Sequence, residues 1–266
     1  DDINATSITF HCMGKDKNSR LYVNYLSVTY SKWTSETPDS PGGEPDVVKS
    51  AAFGQSWAEL PAASESNSYT EEYSKCVKLI TDGGKQSNGY YRRNYSICYD
   101  ATNYVARWVA YPMHSYYTSG DEKSETFYTD PSFTTAQQIG DTYNSSSGYN
   151  RGHQIAKAQR TVTYIARQQT NYFTNMTPQN STLNGGKWAQ LEAKERGEWM
   201  CSDTLYMVSG CHFDNYNTKV ANNDGKSCPV PTHYFKVMLR TKSGNSGKRV
   251  ADCNANELIC AGYWVE

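Results

Sequence analysis

The stretch NGGKWAQLEAKERGEWM is the one long segment of this 266-residue chain built mainly from good helix formers, which run nearly unbroken from Lys187 to Arg196. The segments around it read as strands. SITFHCMG, RLYVNYLSVTYSKW, RRNYSICYD, YVARWVAYPM, TLYMVSGCHF, THYFKVML and AGYWVE alternate in polarity or carry aromatic and β-branched residues. ANELIC reads as one further, short helix. The pattern predicts a mixed α/β core with aromatic-rich strands and one helix over about residues 185–196. Along that helix Asn184, Trp188, Glu192 and Arg196 fall at steps of four, so they drift only about 40° per step and share a face. Read plainly, this is an amphipathic helix with its Trp in the core and a Glu192–Arg196 pair at its edge.

Tyrosine, phenylalanine and tryptophan number 22, 7 and 6, enough aromatic bulk to build a core and to exclude a disordered chain. TSETPDSPGGEPD, residues 34–46, reads as a Pro/Gly/Ser-rich linker. It separates a strand-like N-terminal extension, residues 1–50, from a larger domain, residues 51–266. Residues 114–149 are polar without a sustained period and read as long surface loops. No apolar run approaches the roughly 18 residues of a membrane span, so no transmembrane segment is expected. The chain opens on DDINATS without a signal-peptide pattern, as a cytosolic protein or one whose targeting segment has been removed would. Eight cysteines with no CxxC pair argue against structural zinc and for disulfides, hence a secreted, periplasmic or cell-surface protein. Their connectivity stays open among about 105 pairings. The formal net charge of −1 gives no global attraction to a polyanion, so any such site needs a local basic patch.

Chemistry concentrates in NRGHQ, residues 150–154, and in the carboxamide-rich NYFTNMTPQNSTLNGGKW that precedes and opens the helix. Of five histidines, His153 alone sits in such company, and an imidazole can accept a proton near neutral pH. Asn171, Asn175, Asn180 and Asn184 occupy one short stretch, and Asn and Glu oxygens suit a hard cation such as Mg²⁺. Gly152 between Arg151 and His153 leaves room for backbone and phosphate to approach.

These residues resemble the DNA/RNA non-specific endonucleases, the ββα-metal nucleases, whose signature is an Asp-Arg-Gly-His motif followed about thirty residues later by an Asn at a helix start, with Glu and Arg further along. NRGHQ, NYFTNMTPQ and LNGGKWAQLEAKER match in order and spacing, VPTHYFKV and GYWVE resemble the family's C-terminal strands, and the likeness covers roughly residues 55–266. It implies an α+β, mixed ββα-metal nuclease fold: a central antiparallel sheet flanked by helices and long loops. It implies an Mg²⁺- or Mn²⁺-dependent endonuclease with DNA and RNA as substrates and 5′-phosphate ends as products. By the resemblance, His153 is the general base, Asn184 the direct metal ligand and Glu192 the holder of metal-bound waters. Asn175 shapes the same site, Arg151 and Arg196 stabilise the scissile phosphate, and Asn171 matches another polar position.

This chain departs from the family in carrying Asn150 where the motif has Asp, and an upstream phosphate-binding arginine is replaced by the neighbourhood of Lys123 and Glu125. An attenuated or inactive nuclease-like protein that binds nucleic acid, or an extracellular interaction module, is therefore the alternative. Nucleic-acid grip would come from Arg151, Lys157, Arg160, Arg167, Lys187, Lys194 and Arg196. No base-reading element accompanies them, which predicts little sequence preference. N-x-S/T sequons at Asn4, Asn94, Asn144, Asn175 and Asn180 read as accidental matches.

Overall fold

The computed structural model of the protein describes residues 4–15, 20–31, 77–85, 91–140, 148–222 and 224–266. The linker expected at 34–46 and the sequon at Asn144 lie outside the described residues.

Eight long strands form one antiparallel sheet: β1 (Asn4–Lys15), β2 (Arg20–Ser31), β3 (Val77–Lys85), β4 (Tyr91–Asp100), β5 (Val105–Met113), β8 (Leu205–His212), β11 (His233–Thr241) and β12 (Leu258–Val265). Their order is β1-β2-β12-β11-β8-β5-β4-β3. The N-terminal hairpin β1–β2 thus extends the sheet, joined by the short pairing of Leu21 and Arg20 with Gly262 and Tyr263. Two shorter pairs complete the strands: β6 (Tyr149–His153) with β7 (Met176–Asn180), and β9 (Lys219–Ala221) with β10 (Ser227–Pro229).

Period-two alternation assigns the faces. Val109, Tyr111 and Met113 of β5, Met207 and Cys211 of β8, and Tyr234 and Met238 of β11 enter the main core on one face. Leu239 packs on the other face with Val250 and Leu258. Gly210 lies in the centre of β8, where a Cβ would collide with the Phe235 ring and the Arg107 carbonyl.

The β6–β7 pair and the helix after it lie over the main-core face. Tyr234 donates its hydroxyl to the Pro178 carbonyl at 2.9 Å, and Gln154 Nε2 donates to the Ala106 carbonyl at 2.6 Å. The helix differs from the 185–196 expectation. It starts at Ser181, capped by the Asn180 side chain on the Thr182 and Leu183 amides, and continues through Asn184–Trp188, Ala189–Lys194 and Glu195–Trp199. Two of its turns are wide π-turns, and Gly186 takes φ −106°, ψ −106°, a kink that the Gly185–Gly186 pair accommodates. The cap side chain, rather than the run of good helix formers, sets the start. ANELIC is the other correction: only Ala255–Glu257 makes a 3₁₀ turn, and Leu258 already belongs to β12. Among the described residues, the expected loops between 114 and 149 hold the short 3₁₀ turns Ser115–Thr118 and Thr135–Gln137.

One ion pair sits in the core between helix and sheet. Lys236 Nζ lies 2.6 Å from Glu195 Oε1, and neither side chain is exposed. Glu195 Oε2 accepts from Tyr111 at 2.8 Å and from Gln159 Nε2 at 3.0 Å. Lys236 also lies 4.3 Å above the Trp188 ring. A buried pair contributes little net stability against an apolar replacement, but removal of one member strands the other charge. Lys236→Ala is therefore expected to cost about 3–5 kcal/mol in urea denaturation, and Lys236→Met combined with Glu195→Leu to recover most of it.

Candidate active site

His153 ends β6, where the extended backbone turns into the Gln154–Ala156 segment. Its ring Nε2 lies 3.0 Å from Asn171 Oδ1, and Asn171 Nδ2 donates to the Ser124 carbonyl at 2.7 Å. The second bond orients the carboxamide, so the oxygen faces the ring. An oxygen there requires a donor, which places the imidazole proton on Nε2 and leaves Nδ1 with a lone pair. Burial pushes the His153 pKa down to about 4, although the Asn171 bond favours the charged form. The ring is thus neutral near pH 7.

Two aromatic rings back this face. The Arg151 guanidinium lies 4.7 Å over the Phe127 ring. Phe127 in turn sits 6.0 Å from the His153 ring and stacks on Phe173 at 6.1 Å. Arg151 and His153, two residues apart on a strand, therefore share one side of β6. Gly152 points the other way, and its expected role changes. A Cβ there would collide with the Gln179 side chain on β7, so Gly152 serves close packing between the strands and not an open phosphate channel. Asn150 is tied to the helix start: Ser181 Oγ donates to Asn150 Oδ1 at 3.2 Å and also lies 3.2 Å from the Gly148 carbonyl.

The helix reaches the strand through Trp188, whose indole Nε1 donates to the His153 carbonyl at 3.0 Å. Asn184 lies one turn before Trp188 and Glu192 one turn after. Neither the Asn184 carboxamide nor the Glu192 carboxyl is hydrogen-bonded within the described residues, and both are half-buried. Burial pushes the Glu192 carboxyl up to about 7, against the pull of Lys236. Arg196 donates to Gln159 Oε1 at 3.3 Å, while Gln159 Nε2 lies 3.4 Å from the Glu192 carbonyl. Among the described residues, no group of three or more His, Cys, Asp or Glu side chains could hold a metal. Asn184 and Glu192 instead offer a carboxamide and a carboxyl from the same helix, hard oxygens of the kind that suit a cation retaining most of its waters.

Not every expected residue is placed as anticipated. Asn175 is fully buried, and its carboxamide is engaged by the Ile155 amide (3.1 Å), the Ile155 carbonyl (2.9 Å) and the Thr170 carbonyl (2.7 Å). It holds the backbone beyond His153 from behind. The basic patch shrinks. Arg160 is completely buried, bonded to the Asn94 side chain and to the carbonyls of Asn94, Pro112 and Gln159, because a guanidinium can satisfy several carbonyls at once. Lys157 and Arg167 both pair with Glu125, and Lys194 with Glu198. Burial at Asn94 and Asn175 closes those two sequons to modification in the folded chain.

The other described histidines have different company. His114 caps the Tyr116 amide, and His212 and His233 pack against Trp264 near Asp214. Sequence reasoning missed Phe127, for which no local signal exists, and the Trp188–His153 bond. It also missed the Lys236–Glu195 pair, although a lysine inside the apolar run YFKVML marks a buried charge in need of a partner.

A family model described as DNA/RNA non-specific endonuclease matches residues 76–261. The chain is 29% identical to a nuclease of Serratia marcescens over 190 residues, covering 69% of this chain and 70% of that one. It is 29% identical to mitochondrial endonuclease G of Bos taurus over 166 residues, 58% of this chain and 54% of that one. A nuclease of Nostoc sp. is 30% identical over 157 residues, 59% of this chain and 56% of that one, so the match spans about half the length of these last two relatives. With His153, Arg151 and the Asn184–Glu192 helix gathered as described, the chain belongs to the DNA/RNA non-specific endonuclease family.

Proposed function

We propose that this protein is an exported, divalent-cation-dependent endonuclease that hydrolyses phosphodiester bonds of DNA and RNA and leaves 5′-phosphate ends. The observation that carries this reading is the contact of His153 Nε2 with Asn171 Oδ1, whose carboxamide is turned by its bond to the Ser124 carbonyl; an oxygen there calls for Nε2–H and leaves Nδ1 to accept a proton near neutral pH. Nδ1 takes the proton of the attacking water, and the Asn171 oxygen steadies the positive ring that results. Arg151, braced on Phe127, offers its guanidinium to the phosphoryl oxygens, and Arg196 extends the same cationic edge from the helix. Asn184 and Glu192 would hold Mg²⁺ or Mn²⁺, directly and through waters respectively, and the bound cation supplies relief of charge at the phosphate and leaving oxygen. Phosphate-directed groups dominate this constellation, in keeping with weak sequence preference. Export is supported by Cys98, which is disulfide-bonded, while Cys201, Cys211 and Cys253 stand outside any disulfide, so the expected full set of bridges is not formed among them.

Plasmid nicking with Mg²⁺ and with EDTA tests the reading directly. His153→Ala is expected to lower the cleavage rate about 10²–10⁴-fold while nucleic-acid binding persists. An unchanged rate would remove His153 from the mechanism.

The acid limb of the pH–rate profile should lie low. With saturating Mg²⁺, which favours the ionised form of the Glu192 carboxyl, cleavage should hold from neutrality to about pH 5 and fall as pH approaches 4, where His153 is protonated and the base is lost. Stability follows the same group. Between the unfolded imidazole pKa of about 6.5 and the folded value of about 4, the unfolded chain binds the proton and the folded chain does not, so acidification destabilises the fold through His153, while Glu192, raised to about 7 in the fold, takes up its proton over much of the same window and offsets that loss. An acid limb that stays centred near 6.5 at saturating Mg²⁺ would contradict the burial of this ring.

Asn150 is engaged by Ser181 at the helix start, where a carboxylate would accept the same hydrogen and meet the positive end of the helix. Asn150→Asp should change the Mg²⁺-dependent rate by less than about tenfold. A gain of a hundredfold in the nicking assay would identify the natural sequence as an attenuated nuclease.

A further inference from the structure

Beside the catalytic face lies an aromatic pair that the reaction described above does not use. Tyr128 and Tyr164 join hydroxyl to hydroxyl at 3.1 Å at the surface. Tyr164 is 46% exposed, and its neighbour Ile165 is 49% exposed. Tyr164 and Ile165 each leave large apolar surface in water at the start of their helix, and such surface next to a functional site calls for an occupant.

The pair is built rigidly onto the site. The Tyr128 amide donates to the Asn171 carbonyl at 3.1 Å, and the Phe173 amide donates to the Tyr128 carbonyl at 2.9 Å. Asn171 is the residue that holds the His153 ring. Phe127, next to Tyr128 in the chain, braces Arg151. Tyr164 opens the helix Tyr164–Thr170, which is capped by Thr163 Oγ1 on the Ala166 amide and leads directly into Asn171. Both rings are thus fixed by backbone bonds to the residues that orient the base and the phosphate-directed guanidinium. The hydroxyl bridge restrains the position of each ring tip, so less freedom remains to be lost when something stacks on the rings.

Resting on the nuclease reading, we propose that Tyr128 and Tyr164 form a stacking platform for an unpaired nucleobase beside the scissile phosphate, which makes single-stranded nucleic acid the better-bound substrate class. A base inside a duplex already stacks on its neighbours and offers no free face, whereas an unpaired base gains from an exposed aromatic ring whatever its identity. Such contacts carry no sequence readout, in accord with the phosphate-directed site.

The test is fluorescence anisotropy with a labelled oligo-dT and a labelled duplex of equal length, in EDTA so that cleavage is silent. Tyr164→Ala and Tyr128→Ala should each weaken oligo-dT binding about tenfold, the effect of losing one stacked base, and leave duplex binding within about twofold. Tyr164→Phe should stay near the natural protein, since the ring face is kept. In Mg²⁺, the alanine variants should raise KM for the single strand and keep kcat. Equal losses on both ligands, no loss on either, or a Tyr164→Phe variant as weak as Tyr164→Ala would overturn the platform while leaving the nuclease reading intact. A natural protein that binds neither ligand and nicks no plasmid would overturn the nuclease reading itself, and the platform with it.

Discussion

The indole N–H of Trp188 meets the carbonyl of His153, and with the Ser181–Asn150 bond at the helix start it ties the helix to the strand. The strand carries His153 and Arg151; the helix carries Asn184, Glu192 and Arg196. Neither half has a reason to face the other on local grounds, since strand and helix are separate elements, each stable in several relative positions. Trp188 fixes the distance because its own ring is trapped between Tyr234 at 5.4 Å and the Lys236 ammonium. That ammonium is in turn held by Glu195, three residues past Glu192. The buried charge therefore does more than fill space: it sets the height of the helix above the sheet.

Much of the fold was legible in the sequence. Alternation and aromatic content located β4, β5, β8, β11 and β12, because half-buried antiparallel strands must alternate. The helix was visible in its composition, yet its start was misplaced by four residues. Propensity weighs Asn and Gly as poor helix residues, whereas here Asn180 acts as a cap and Gly185–Gly186 absorb a kink. ANELIC failed for the opposite reason: three residues of 3₁₀ geometry satisfy the local signal, and pairing of Leu258 with Thr241 claims the rest for the sheet.

The site was legible as a set of letters and less so as a set of roles. His153, Arg151, Asn184 and Glu192 could be named from spacing and resemblance. Which carboxamide orients the histidine could not, because Asn171 and Asn175 look alike in one dimension. Only the fold separates them: Asn171 meets the ring, and Asn175 faces backbone. Likewise Arg160 reads as a basic-patch residue until Asn94 and Pro112 are seen to enclose it.

Gly152 and Gln179 touch across the β6–β7 pair so closely that no atom can be added between them. The third letter of the NRGH motif is thus a statement about a residue twenty-seven positions later, and the two positions must drift together. A lineage that lost the glycine would first have to shorten Gln179. A redesign that grafted NRGH onto another strand pair would bring the chemistry without the hollow that lets the strand lie flat. The motif is heritable only with its partner strand.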